Sequence, residues 1–97
     1  MKKHRWMNDD TDELMLAMLQ LKSLAEARAF FGDLLTEKEI RGAANRWKAA
    51  KMLDFGVGYR KIERVTGMSS ATVSRIRRKM EEGLGGYRLM MGKLRQK

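Results

Sequence analysis

The sequence predicts an all-α fold, and three observations carry that reading. Apolar residues recur at helical spacing, and no strand-like alternation lasts more than a few residues. Two capping boxes, Ser23-Leu24-Ala25-Glu26 and Thr36-Glu37-Lys38-Glu39, each announce a helix start. Gly67 stands between two short segments whose apolar positions repeat every three or four residues. At 97 residues the chain is expected to form a single domain. A chain this short must bring most of its apolar residues into one core or share a core with a second copy.

The first helix is expected over about Asp10 to Leu21, with acids in its opening turn, where the helix dipole favours them. Leu14, Met15, Leu16, Ala17, Met18, Leu19 and Leu21 surround it almost completely, which calls for burial against a partner subunit. Ser23 then opens a short helix with Leu24, Ala27, Phe30 and Phe31 near one face and Gly32-Asp33 as its stop. Thr36 opens a longer helix from about Glu37 to Asp54, whose expected buried positions are Ile40, Ala43, Ala44, Trp47, Ala50, Met52 and Leu53. Gly56 and Gly58 permit left-handed backbone and a sharp exit.

Tyr59 to Ile76, YRKIERVTGMSSATVSRI, reads as two helices joined by a tight turn at Gly67, which is the helix-turn-helix arrangement. The first would turn Ile62, Val65 and Thr66 inward, and the second Val73, Ile76 and Met80. Met68 would plug the turn, and Ser69 or Ser70 would cap the second helix. Glu63 stands where such units usually place alanine, so it must point outward or tilt the pair. The other side of the second helix presents Ser69, Ser70, Ala71, Thr72, Ser74, Arg75, Arg78 and Lys79. Small polar residues let a helix approach the major-groove floor, arginine can grip guanine O6 and N7, and Ala71 or the Thr72 methyl can meet a thymine methyl. Arg60 and Lys61 are placed to hold phosphates and set register.

Charge agrees with this division. The net charge is +9, and residues 57–97 carry 11 basic against three acidic side chains. A basic half on a nearly neutral half implies a polyanion-binding surface on an assembly platform. The expected organisation is a flexible basic arm (1–9), a helical dimerisation platform (10–56), the helix-turn-helix (57–82) and a tail or short helix (83–97). In that tail Leu89, Met90, Met91 and Leu94 could pack on the dimer, or Arg88, Lys93, Arg95 and Lys97 could add phosphate contacts. Lys2, Lys3 and Arg5 of the arm could do the same, and Trp47 is expected in the core.

Several classes are excluded. There is no cysteine for a disulfide or a thiolate site, and the single histidine, His4, cannot build a catalytic pair or metal cluster. The longest apolar run, Leu14 to Leu19, is far too short to span a bilayer, and the acids Asp9, Asp10, Asp12 and Glu13 oppose a secretory signal. A soluble, cytoplasmic protein associated with the bacterial nucleoid, with no enzymatic activity, no metal and no cofactor, is expected. Two rivals to a sequence-specific DNA regulator stay open: a non-specific architectural nucleic-acid binder, and a helix-turn-helix module that docks a protein partner.

The segments RAFFGDLLTEKEI, NRWKAAKML, TGMSSATVSRI and GLGGYRLM together resemble the Trp repressor superfamily, most closely its YerC/YecD-like branch, over roughly Leu14 to Met91. The resemblance implies an all-helical, intertwined homodimer with a helix-turn-helix unit in each chain, acting on double-stranded DNA. It also raises an amino-acid corepressor, because the repressor's corepressor-contacting threonines and arginines correspond to Thr36, Arg46, Thr72 and Arg75. Where the repressor has a small glycine after the recognition-helix arginine, this chain has Ile76, whose branched side chain could fill the indole site.

Overall fold

A computed structural model describes residues 4–95; Lys2, Lys3 and Lys97, for which phosphate contact is one alternative in the sequence, lie outside the described residues. Six helices and no strand occur among the described residues: α1 (Asp9–Met18), α2 (Leu24–Leu34), α3 (Glu37–Asp54), α4 (Tyr59–Thr66), α5 (Ser70–Glu82) and α6 (Gly86–Arg95). They divide between Glu37 and Lys38 into two compact units.

The first unit holds α1 and α2. α1 begins one residue earlier than expected because Asn8 and Thr11 form a reciprocal capping box. The Asn8 side chain accepts from the Thr11 N–H and the Thr11 hydroxyl oxygen accepts from the Asn8 N–H, both at 2.9 Å. The Thr11 hydroxyl lies 2.9 Å from the Trp6 carbonyl, and Trp6 stacks on His4, so the end of the arm is tied to the first turn of the helix. α1 ends at Met18 rather than Leu21, and the backbone N–H groups of Gln20 and Leu21 bond three residues back in a tightened final turn. At α2, Ser23 caps the Glu26 N–H, but Glu26 reaches past the expected Ser23 N–H to that of Lys22, at 2.9 Å. Gly32-Asp33 does not stop this helix, which runs on to Leu34 before Leu35 turns extended. Neither helix contains a buried residue; Leu16, Leu19 and Leu24 are 62%, 74% and 66% exposed.

The second unit is built on one core of Ala49, Ala50, Leu53, Ile62, Val73, Ile76, Met80 and Met91. α3 has the expected bounds, yet its buried residues are Ala49, Ala50 and Leu53, confined to its C-terminal half. Ile40, Trp47 and Met52 are half-buried, and Ala43 and Ala44 are exposed because they precede the stretch on which the later helices pack. Gly56 takes the left-handed backbone (φ 82°), whereas Gly58 is extended and caps α4. α5 packs on α4 and on α6. The tail is therefore helical and docks on its own chain: Met91 is buried, Tyr87 stacks on Trp47 at 6.1 Å, and the Arg88 Nε donates to the Met80 carbonyl at 2.8 Å. Arg95 pairs with Asp54.

Candidate nucleic-acid interface

The α4–turn–α5 unit is held by two side chains with no solvent exposure, Ile62 and Val73. Full burial of an aliphatic side chain is worth about 1.5–3 kcal/mol, so this pair fixes the two helices firmly. Thr66 takes the second inward position on α4. Its buried hydroxyl donates to the Ile62 carbonyl at 2.6 Å and accepts from the Met68 N–H at 3.2 Å. The expectation that Val65 also points inward is corrected: Val65 is 45% exposed. The stripe Ile62–Thr66 follows the i, i+4 spacing of one helical face, and Val65 falls beside it.

Gly67 adopts φ 75° and its N–H bonds the Glu63 carbonyl, which ends α4 in the left-handed conformation glycine tolerates best. Asn45 of α3 donates to the Thr66 carbonyl at 3.1 Å and ties the turn to the scaffold. Met68 packs half-buried against the core as the expected plug. Ser69, not Ser70, caps α5: its hydroxyl accepts from the Thr72 N–H at 3.2 Å and lies 3.1 Å from the Thr72 hydroxyl.

On α5, Val73, Ile76 and Met80 are buried. The opposite side is open, with Ser70, Ala71, Ser74, Arg75, Arg78 and Lys79 all exposed. Ala71, Arg75 and Arg78 follow i, i+4, i+7 and form one outward ridge, with Ser74 beside it. Thr72 and Lys79, seven residues apart, share a flank of that ridge, and Thr72 is half-buried. Arg77, between them in sequence, pairs instead with Glu81 at 3.6 Å. On α4, Arg60 and Lys61 are exposed. Arg60, Glu63, Arg64 and Ser70 line an open concavity of about 560 Å³ at the start of α5. Arg64 and Glu63 were absent from the expected contact set, although their i+4 and i+3 spacing from Arg60 already puts them on one helical face.

Of the four expected corepressor positions, Arg46 and Arg75 are exposed, the Thr72 hydroxyl lies 3.1 Å from that of Ser69, and Thr36 belongs to the first unit. Ile76 is 4% exposed and sits in the core. Among the described residues no group of three or more His, Cys, Asp or Glu is arranged to hold a metal ion, and no helix is long and apolar enough to cross a membrane.

The sequence model of the family described as Trp repressor protein matches residues 9–95. Over 87 residues the chain is 39% identical to the uncharacterized protein YerC of Bacillus subtilis (strain 168), covering 90% of this chain and 84% of that one. A crystal structure of a TrpR-like protein from Eubacterium eligens ATCC 27750 superposes with a TM-score of 0.85 at 38% identity, covering 90% of both chains. That of a Trp repressor candidate from Staphylococcus aureus gives a TM-score of 0.85 at 35% identity, covering 92% of this chain and 89% of that one. With its six-helix order and its helix-turn-helix unit, this chain belongs to the Trp repressor family, a family of DNA-binding regulators rather than enzymes.

Proposed function

We propose that this protein is a sequence-specific transcriptional regulator that binds double-stranded DNA as a homodimer, with α5 as its recognition helix. The observation that carries the reading is the outward ridge of Ala71, Ser74, Arg75 and Arg78 on a helix whose other side is locked into the core. Such a helix presents short residues that allow close approach and two guanidinium groups that can read guanine edges. Arg60, Lys61, Ser69, Ser70, Thr72 and Lys79 surround it as phosphate and register contacts. Homodimerisation is supported by the first unit, where Leu16, Leu19, Leu24 and Leu34 stand exposed in the single chain, a cost that a second copy would remove. In a two-fold dimer the two α5 helices would enter successive major grooves about 34 Å apart. No cofactor takes part in this reading, and its setting is the cytoplasmic nucleoid of a bacterium.

The test is selection from a randomised duplex pool at about physiological salt, followed by sequencing. An enriched inverted repeat with half-sites about 10 base pairs apart is expected. DNA retained without any motif would instead mean an architectural binder. If no DNA is retained, the helix-turn-helix docks a protein.

A further inference from the structure

The concavity between α4 and the start of α5 holds one acceptor among donors. Arg60, Arg64 and Ser70 line it, and Glu63 sits among them, half-buried. Close packing of the two helices is preserved, because Ile62 on α4 and Val73 on α5 are both fully buried. Glu63 therefore opens into the same concavity as Arg60 and Ser70, two residues of the proposed DNA-contacting set, rather than wedging the helices apart. Among the described residues its carboxylate forms no ion pair, despite two guanidinium-bearing neighbours on the same helix face.

An ionised carboxylate only accepts hydrogen bonds. A phosphate brought to this point would meet like charge, and so would a base edge that offers only acceptors, such as guanine O6 and N7. On a major-groove edge the donor that suits such an acceptor is an exocyclic amino group, and cytosine N4 is the one that carboxylates read. Arg60 and Arg64 keep the concavity net positive, so the duplex is still attracted while the carboxylate selects what enters.

We propose that Glu63 is a specificity-determining residue that accepts a hydrogen bond from cytosine N4 in each half-site. The proposal rests on the DNA-binding reading above. It is tested by repeating the duplex selection with the full chain and with Glu63→Gln and Glu63→Ala. The wild-type protein is expected to enrich cytosine at one symmetric position in each half-site. Glu63→Gln, which keeps the shape and adds an amide donor, should shift that position toward adenine or erase the preference by about tenfold, leaving the rest of the motif unchanged. The unchanged remainder of the motif reports that the variant is folded. If both variants tighten binding to all sequences and leave the motif as it was, Glu63 merely repels phosphate and the proposal is overturned. A wild-type selection with no motif at all would overturn the DNA-reading function itself, which separates the two failures.

Discussion

The Trp47 indole of α3 and the Tyr87 ring of α6 form an offset stack, 6.1 Å between centroids and 11° from parallel. The Lys51 ammonium sits 5.7 Å over the same indole. This stack, with buried Met91, holds α6 on the core that orients α5. Truncation by Tyr87→Ala should cost about 2 kcal/mol, less than for a fully buried aromatic because Tyr87 is half-buried. Tyr87→Phe keeps the ring and should cost well under half of that. Urea unfolding, followed by tryptophan fluorescence in a Trp6→Phe background, measures both; equal losses would show that the hydroxyl, not the stack, matters.

The Thr66 hydroxyl bridges the Ile62 carbonyl and the Met68 N–H inside the turn. Thr66→Val is nearly the same shape but removes the acceptor, stranding the Met68 N–H. A loss of about 1–3 kcal/mol is expected. Thr66→Ser retains the hydroxyl and gives up one methyl, about 0.8 kcal/mol. Should the serine variant prove less stable than the valine one, packing rather than the bridge would govern this position.

Two glycines should fail substitution for different reasons. Gly67 has φ 75° and open space where a Cβ would stand, so only backbone strain opposes a side chain there. Gly67→Ala should cost about 1–2 kcal/mol, and Gly67→Asn less, since asparagine tolerates the left-handed region. Gly83 has φ −81°, but a Cβ there would lie 2.4 Å from the Lys79 carbonyl oxygen. Alanine and asparagine should therefore be comparably damaging at 83. Thermal melts of the four variants decide this; a clear asparagine advantage at 83 would contradict the steric account.

Much of this architecture was legible in local chemistry. Ser23 and the Thr36 capping box mark helix starts, and the α5 core face follows directly from Val73, Ile76 and Met80 at helical spacing. What failed was hydropathy without geometry. Val65 reads as more apolar than Thr66, yet Thr66 is the buried one because its hydroxyl finds partners within the turn. Gly32 looks like a stop but lies within α2, since nothing there requires left-handed backbone. The docking of α6 depends on contacts across long sequence separation, Trp47 to Tyr87 and Asp54 to Arg95, which no local pattern encodes. At the candidate interface, the ridge on α5 was readable from the helical pitch. The concavity containing Glu63 and Arg64 required knowing how α4 meets Ser70.

Arg75 and Lys61 should separate reading from holding. Arg75 is exposed on the outward ridge of α5, and Lys61 is exposed on the first helix of the unit. Arg75→Ala should cost about 1–3 kcal/mol on the selected site and little on unrelated duplex. Lys61→Ala should weaken binding to both and lower the magnitude of the log–log salt slope by about 0.9. Titrations at several salt concentrations distinguish the roles. Uniform weakening by Arg75→Ala would reassign it to phosphate, and an unchanged slope would remove Lys61 from the interface.

Tryptophan should have no effect on this protein's DNA affinity. Thr36, Arg46, Thr72 and Arg75 match the corepressor-contacting residue types, but recognition also needs room for an indole. The position after Arg75 carries Ile76, which is 4% exposed and already packed in the core with Val73 and Met80. Making room would require pushing a branched side chain out of a packed core, at a cost of about 1–3 kcal/mol. Thr72 is also occupied with the Ser69 cap of α5. Millimolar L-tryptophan is therefore expected to leave both the operator affinity and the thermal midpoint unchanged, while Ile76→Gly would open space at the expense of stability. A tenfold tightening of wild-type operator binding on adding tryptophan would show that the indole finds another seat, and that the four retained side chains are a working corepressor site.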